Sequence, residues 1–124
     1  MTTGTTDTGT FMLLLRGGVS NRDLSAEQLQ RQIERYMNWI EKLRSEGHFV
    51  AGEPLDETGK VLSGKNGSTV TDGPFTESKE EVGGYFIIRA TDIEAAVELS
   101  KSCPIFANNG TVEVRPNQQK VPRG

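Results

Sequence analysis

An α+β fold, with two helices on one face of an antiparallel sheet, is what this sequence predicts. Three observations carry the expectation. Segments 11–16 and 85–90 are apolar at odd and even positions alike, as strands in the middle of a sheet covered on both sides are. Each is followed by an amphipathic stretch that opens on a capping signature. Each amphipathic stretch is followed in turn by a further strand-like run. The order is therefore β-α-β, an inserted hairpin, and β-α-β. With the hairpin set aside, this is the ferredoxin-like plan. Right-handed crossovers place both helices on one face and the two doubly apolar strands in the centre. The second face then needs a cover. A second copy of the sheet is the simplest one, which makes the expected assembly a homodimer of the dimeric α+β barrel type. A monomer would leave Met12, Leu14 and their neighbours exposed as an apolar patch.

The elements follow in order. Residues 1–10 hold six threonines and two glycines and read as a mobile tail. In 11–16, Phe11, Leu13 and Leu15 share one face and Met12 and Leu14 the other; Gly17 and Gly18 break the strand. Ser25 and Gln28 form a capping box. The helix they open runs to about Glu46 and stops at Gly47. Leu29, Ile33, Tyr36, Ile40 and Leu43 make its apolar stripe, while Met37 and Trp39 lie partly off it, placed to cover a sheet edge or a partner. Residues 48–51 read as the next strand, with Phe49 and Ala51 on one face. Asn66-Gly67, between the strand-like runs 60–63 and 68–71, signals a polar, projecting hairpin. Ser78 to Glu81 matches a second capping box, with room before Gly83 and Gly84 for one turn. Thr91 or Asp92 caps the second helix, whose apolar set is Ile93, Ala96, Val97 and Ser100, flanked by Leu99 and Cys103; Pro104 ends it. Residues 105–110 form a loop and 111–115 a half-exposed last strand. Residues 117–124 are a polar tail, so the single domain spans 11–116.

Composition narrows the function classes. The 124 residues fit one domain and carry a net charge of −3, which disfavours non-specific nucleic-acid binding. One cysteine excludes an internal disulfide framework and fits a reducing, cytoplasmic setting. The first ten residues lack the basic start and apolar stretch of a signal peptide, and the longest apolar run, 11–15, is too short to span a bilayer. One histidine and one cysteine cannot build a standard zinc site, and no phosphate- or dinucleotide-binding glycine pattern is present. No metal, cofactor, membrane or nucleic-acid partner is expected.

The least ordinary stretch is 71–84, TDGPFTESKEEVGG. Asp72 stands just before a glycine and a proline that constrain the backbone, and Phe75 can anchor the turn to a core. Together with Phe11 to Leu15, Val50-Ala51-Gly52-Glu53-Pro54-Leu55, Cys103-Pro104 and Gly110 to Pro116, the run DGPFTESKEEVGGYFII closely resembles the signature of the DGPF-type proteins of the YCII-related family. The resemblance covers roughly residues 11–116. It implies the same dimeric α+β barrel. It also implies an acid/base site, because in the family an aspartate and a histidine in the cleft between sheet and helices are proposed as a pair, and relatives include a dehydrochlorinase acting on a chlorinated hydroquinone.

On that resemblance Asp72 is the candidate general base, for an isomerase- or lyase-like step on a small organic substrate; apolar neighbours such as Phe75 and Tyr85 would raise its pKa. An Asx-type turn explains the same residue without chemistry. His48 is the second catalytic candidate, but it lies at a strand start, whereas the family histidine lies in the first helix, where this chain has none. Arg16, at the end of a central strand, can hold an anionic group, pair with Asp72 or make a structural ion pair. Phe75 and Tyr85 complete the candidate substrate-binding set, Tyr85 by its hydroxyl or by packing alone. The alternative function is a non-catalytic ligand-binding or regulatory protein. DGPF-type proteins resemble ones encoded beside, or fused to, alternative sigma factors, which implies a regulatory protein partner. Its contact surface would be Met37, Trp39 and the 60–71 hairpin.

Overall fold

The structure, a computed structural model, describes residues 9–18, 23–73 and 81–118. Along the chain run β1 (Gly9–Arg16), α1 (Ala26–Ser45), β2 (Phe49–Pro54), β3 (Gly59–Ser63), β4 (Thr69–Gly73), β5 (Val82–Ala90), α2 (Ile93–Ser100) and β6 (Thr111–Pro116). The main sheet is antiparallel in the order β2-β5-β1-β6, and among the described residues β3 pairs only with β4. This is the ferredoxin-like α+β arrangement, and the two strands with two apolar faces are its central pair. No described helix is long and apolar enough to cross a membrane.

The two faces of the sheet differ sharply. Phe11, Leu13 and Leu15 of β1 and Phe86, Ile88 and Ala90 of β5 are buried under the helices with Leu43, Ala96 and Ile105. Met12, Leu14, Tyr85 and Ile87 point to the opposite face and are only half-buried. Phe86 is the hub of the covered side. Its ring stacks on Tyr36 at 6.3 Å, meets the edge of Trp39 at 5.0 Å and lies 6.5 Å from Phe49. Gly52 sits directly opposite it on β2, and a Cβ there would run into the Phe86 ring and the Tyr85 carbonyl oxygen. Gly52→Ala should therefore cost about 1–3 kcal/mol by overpacking, read as a lowered urea midpoint with an unchanged slope.

Local sequence rules explain the element ends. Ser25 Oγ accepts from Gln28 N–H at 3.1 Å while the Gln28 side chain accepts from Ser25 N–H at 2.8 Å. Gly47 takes φ +83° just past the helix, a region open to glycine without a Cβ penalty. Asp92, not Thr91, caps α2 by accepting from Ala95 N–H at 2.8 Å. Between β3 and β4, Asn66 and Gly67 both have positive φ, as an Asn-Gly turn requires.

Several expectations need correction. Trp39 is not a partner-facing residue: it is 5% exposed in the core, and its Nε1 donates to Ser102 Oγ at 2.9 Å. Ile33 is 46% exposed, because α1 turns its Tyr36–Trp39–Leu43 side to the sheet. Phe49 and Ala51 do not share a face. The ladder is irregular between them, and this bulge puts Phe49 opposite Ile88 on the covered side and Ala51 opposite Ile87 on the open one. Ile93 and Val97 are partly exposed, while Ala96 and Ser100 are the buried residues of α2. α2 ends at Ser100, before Pro104, which opens a 3-10 helix over Pro104–Asn108 where a loop was expected. β5 starts at Val82, so Gly83 and Gly84 belong to the strand. The second capping box falls mostly in residues 74–80, outside the described residues.

Candidate functional site

Asp72 is not in a turn. It is the second-last residue of β4, held in register by cross-strand pairing with Lys60. The ladder is centred on Asn66, with Lys60 six residues before it and Asp72 six after, so the two stand opposite one another. Their side chains meet: Lys60 Nζ donates to Asp72 Oδ1 at 2.5 Å. Gly73 follows because the chain passes so close to β3 that a Cβ there would overlap the Val61 side chain. The glycine of the signature is thus a packing requirement of the hairpin base. Thr58, Gly59, Lys60, Asp72 and Gly73 line an open cleft of about 410 Å³.

The arrangement differs from a desolvated catalytic carboxylate. The Asp72 side chain is 89% exposed and that of Lys60 65%, so water screens the pair and its stabilising effect is about 0–1 kcal/mol. The same exposure leaves the carboxylate open to a ligand while its lysine stands beside it.

The other expected site residues do not gather around Asp72. Arg16 pairs with Glu113 at 2.5 Å across the open face, not with Asp72. Their strands are hydrogen-bonded neighbours, with Glu113 two residues along from Thr111, the partner of Arg16, and on the same face. His48 is fixed structurally: its Nδ1 lies 2.9 Å from the Arg89 carbonyl oxygen, and Arg89 N–H donates back to the His48 carbonyl at 2.7 Å. Those bonds close the β2–β5 ladder just before the bulge. Tyr85 is on the open sheet face between Leu14 and Glu53, not in the core. Phe75 lies outside the described residues.

Two further polar groups sit under the helices. Burial raises the pKa of the Tyr36 phenol, and its hydroxyl bonds to Cys103. Burial likewise pushes the Cys103 thiol up to about 11. A thiol with that pKa is protonated at neutral pH, which makes Cys103 a small core residue and not a nucleophile. Among the described residues there is no group of three or more histidine, cysteine, aspartate or glutamate side chains placed to hold a metal ion.

The family model for the YCII-related domain matches residues 12–118. The chain belongs to the YCII-related family. No curated protein matches it. Within this YCII-related chain, the partner of Asp72 that sequence reasoning missed is Lys60. A two-residue Asn66-Gly67 turn would set Lys60 opposite Gly73; the five-residue connection between Ser63 and Thr69 shifts the register by one and brings Lys60 to Asp72.

Proposed function

We propose that this YCII-related protein works as a homodimer that binds a small polar organic molecule in the cleft at the base of the β3–β4 hairpin. Lys60 Nζ and Asp72 Oδ1, 2.5 Å apart in the cleft wall, are the observation that carries the reading. They offer a hydrogen-bond donor with positive charge beside an acceptor with negative charge, the means by which a small ligand is oriented. The cleft volume, about 410 Å³, is in the range of about 300–1,000 Å³ that small-molecule sites occupy. The homodimer is supported by the open sheet face, where Met12, Leu14, Tyr85 and Ile87 line the two central strands away from the helices.

A second reading is proton transfer on the bound molecule, with Asp72 as base. The adjacent Lys60 favours it, because an ammonium beside a carboxylate can stabilise the anion that proton removal creates. Catalysis needs more than binding. The ligand, or a change in the hairpin, would have to displace water from a carboxylate that is open in the single chain.

The test is a thermal-shift screen of small carboxylates, phenols and lactones against wild type, Asp72→Asn and Lys60→Met at one protein concentration. The exposed pair is worth little to stability, so both variants should melt close to wild type. A true ligand at about 100 times its Kd adds about 2.7 kcal/mol and should raise the wild-type melting point by on the order of 10 °C. Both variants should lose most of that rise. A compound that stabilises all three proteins equally would place its site elsewhere. Turnover of a stabilising compound by wild type and not by Asp72→Asn would support the second reading.

A further inference from the structure

The open sheet face is small for the whole interface of a stable dimer. Its four strands are 8, 6, 9 and 6 residues long, and alternation puts only about half of those residues, roughly fourteen, on one face. A stable specific interface takes about 20–30 residues a side. Another element beside that face has to contribute.

The β3–β4 hairpin fits this need. It leaves the sheet where Pro54 of β2 pairs with Gly84 of β5, and Leu55 N–H, donating to the Gly83 carbonyl oxygen at 2.9 Å, extends that ladder to the hairpin stem. Beyond the stem, its substantial packing is internal, strand on strand and strand on turn. Its register sets Leu62 opposite Val70, and these two are 62% and 57% exposed. Alternation puts them on the same side of the ribbon as Lys60 and Asp72. A two-stranded hairpin alone is marginal in water, so a ribbon that exposes its apolar pair gains stability from packing that the other described residues do not provide. Strands of five residues reach about 16 Å, whereas sheets packed face to face lie about 10 Å apart. The hairpin is long enough to reach a facing sheet and pass beside it.

We propose that in the homodimer the Leu62–Val70 side of each hairpin packs against the second copy, so that the Lys60–Asp72 cleft is closed in part by the partner subunit. This rests on the homodimer reading above. It gives the solvent-open Asp72 of the single chain a more enclosed setting in the assembly, which would deepen the ligand site.

The experiment compares wild type, Leu14→Lys and the double variant Leu62→Asp/Val70→Asp by sedimentation over a dilution series, with hydrogen exchange of the amides in 59–73 measured at high and low wild-type concentration. The proposal expects a wild-type dimer whose hairpin amides exchange more slowly at the dimer's concentration than at the monomer's. It also expects a double variant that keeps its far-ultraviolet spectrum and binds itself about tenfold or more weakly. A wild-type dimer broken by Leu14→Lys but untouched by the double variant, with hairpin exchange independent of concentration, would overturn the hairpin contact, leave the sheet-face dimer standing and mark the hairpin as free for another protein. A wild type that is monomeric throughout would overturn both.

Discussion

Phe86→Ala should destabilise the protein by about 3–5 kcal/mol, the largest loss expected from one core substitution. Phe86 is the meeting point of three aromatic rings, two from α1 and one from β2. It lies on a central strand, and the glycine opposite it on β2 leaves room for its ring. Truncation removes the ring's burial and leaves a cavity that Tyr36, Trp39 and Phe49 cannot collapse into without moving a helix and a strand. A small domain has only about 5–15 kcal/mol in total, so the melting point should fall by on the order of 15 °C. Urea unfolding at fixed protein concentration measures it. A loss below about 1 kcal/mol would mean that the rings are not organised around Phe86.

In the proposed homodimer, Leu14→Lys should abolish self-association while leaving the monomer folded. Leu14 is on the open face of central strand β1, opposite Tyr85 on one side and Glu113 on the other. In a monomer the new ammonium is on the open face, across the ladder from Glu113, which already pairs with Arg16, and it can extend into water. Between two facing sheets it would be removed from water near its own symmetry copy, at a cost of several kcal/mol. Several kcal/mol in association free energy is a factor of a thousand or so in Kd. The sedimenting mass should therefore halve at micromolar protein, with an unchanged circular dichroism spectrum. A variant with wild-type mass would show that the open face is not the contact.

The candidate site was legible in part. Asp72 and the tight backbone around it stand out in the sequence, and Asn66-Gly67 marks the hairpin, but the ladder is centred on Asn66, a register that the dipeptide alone does not set. The carboxylate's environment did not follow from residue types. Apolar neighbours in sequence suggested a buried group, but Asp72 is on the exposed side of a ribbon that stands off the body. Arg16 illustrates the same limit. The end of a central strand was a sound place for a cleft cation, yet strand order gave it Glu113 as a neighbour before Asp72 could compete.

The sequence by itself determined the class of fold, its central strands, its main helix caps and the hairpin turn. Each of these depends on local physics: alternation along a strand, a capping side chain three residues from its donor, a left-handed pair in a tight turn. Only the tertiary structure decided which face of the sheet the helices cover, that Trp39 joins the core and Ile33 does not, that the bulge after Phe49 sends Ala51 to the other side, and that Lys60 partners Asp72 in space. These depend on rotation of a helix about its axis and on register between distant strands. A shift of one residue or a turn of about 100° changes every contact while leaving the local sequence signals almost the same.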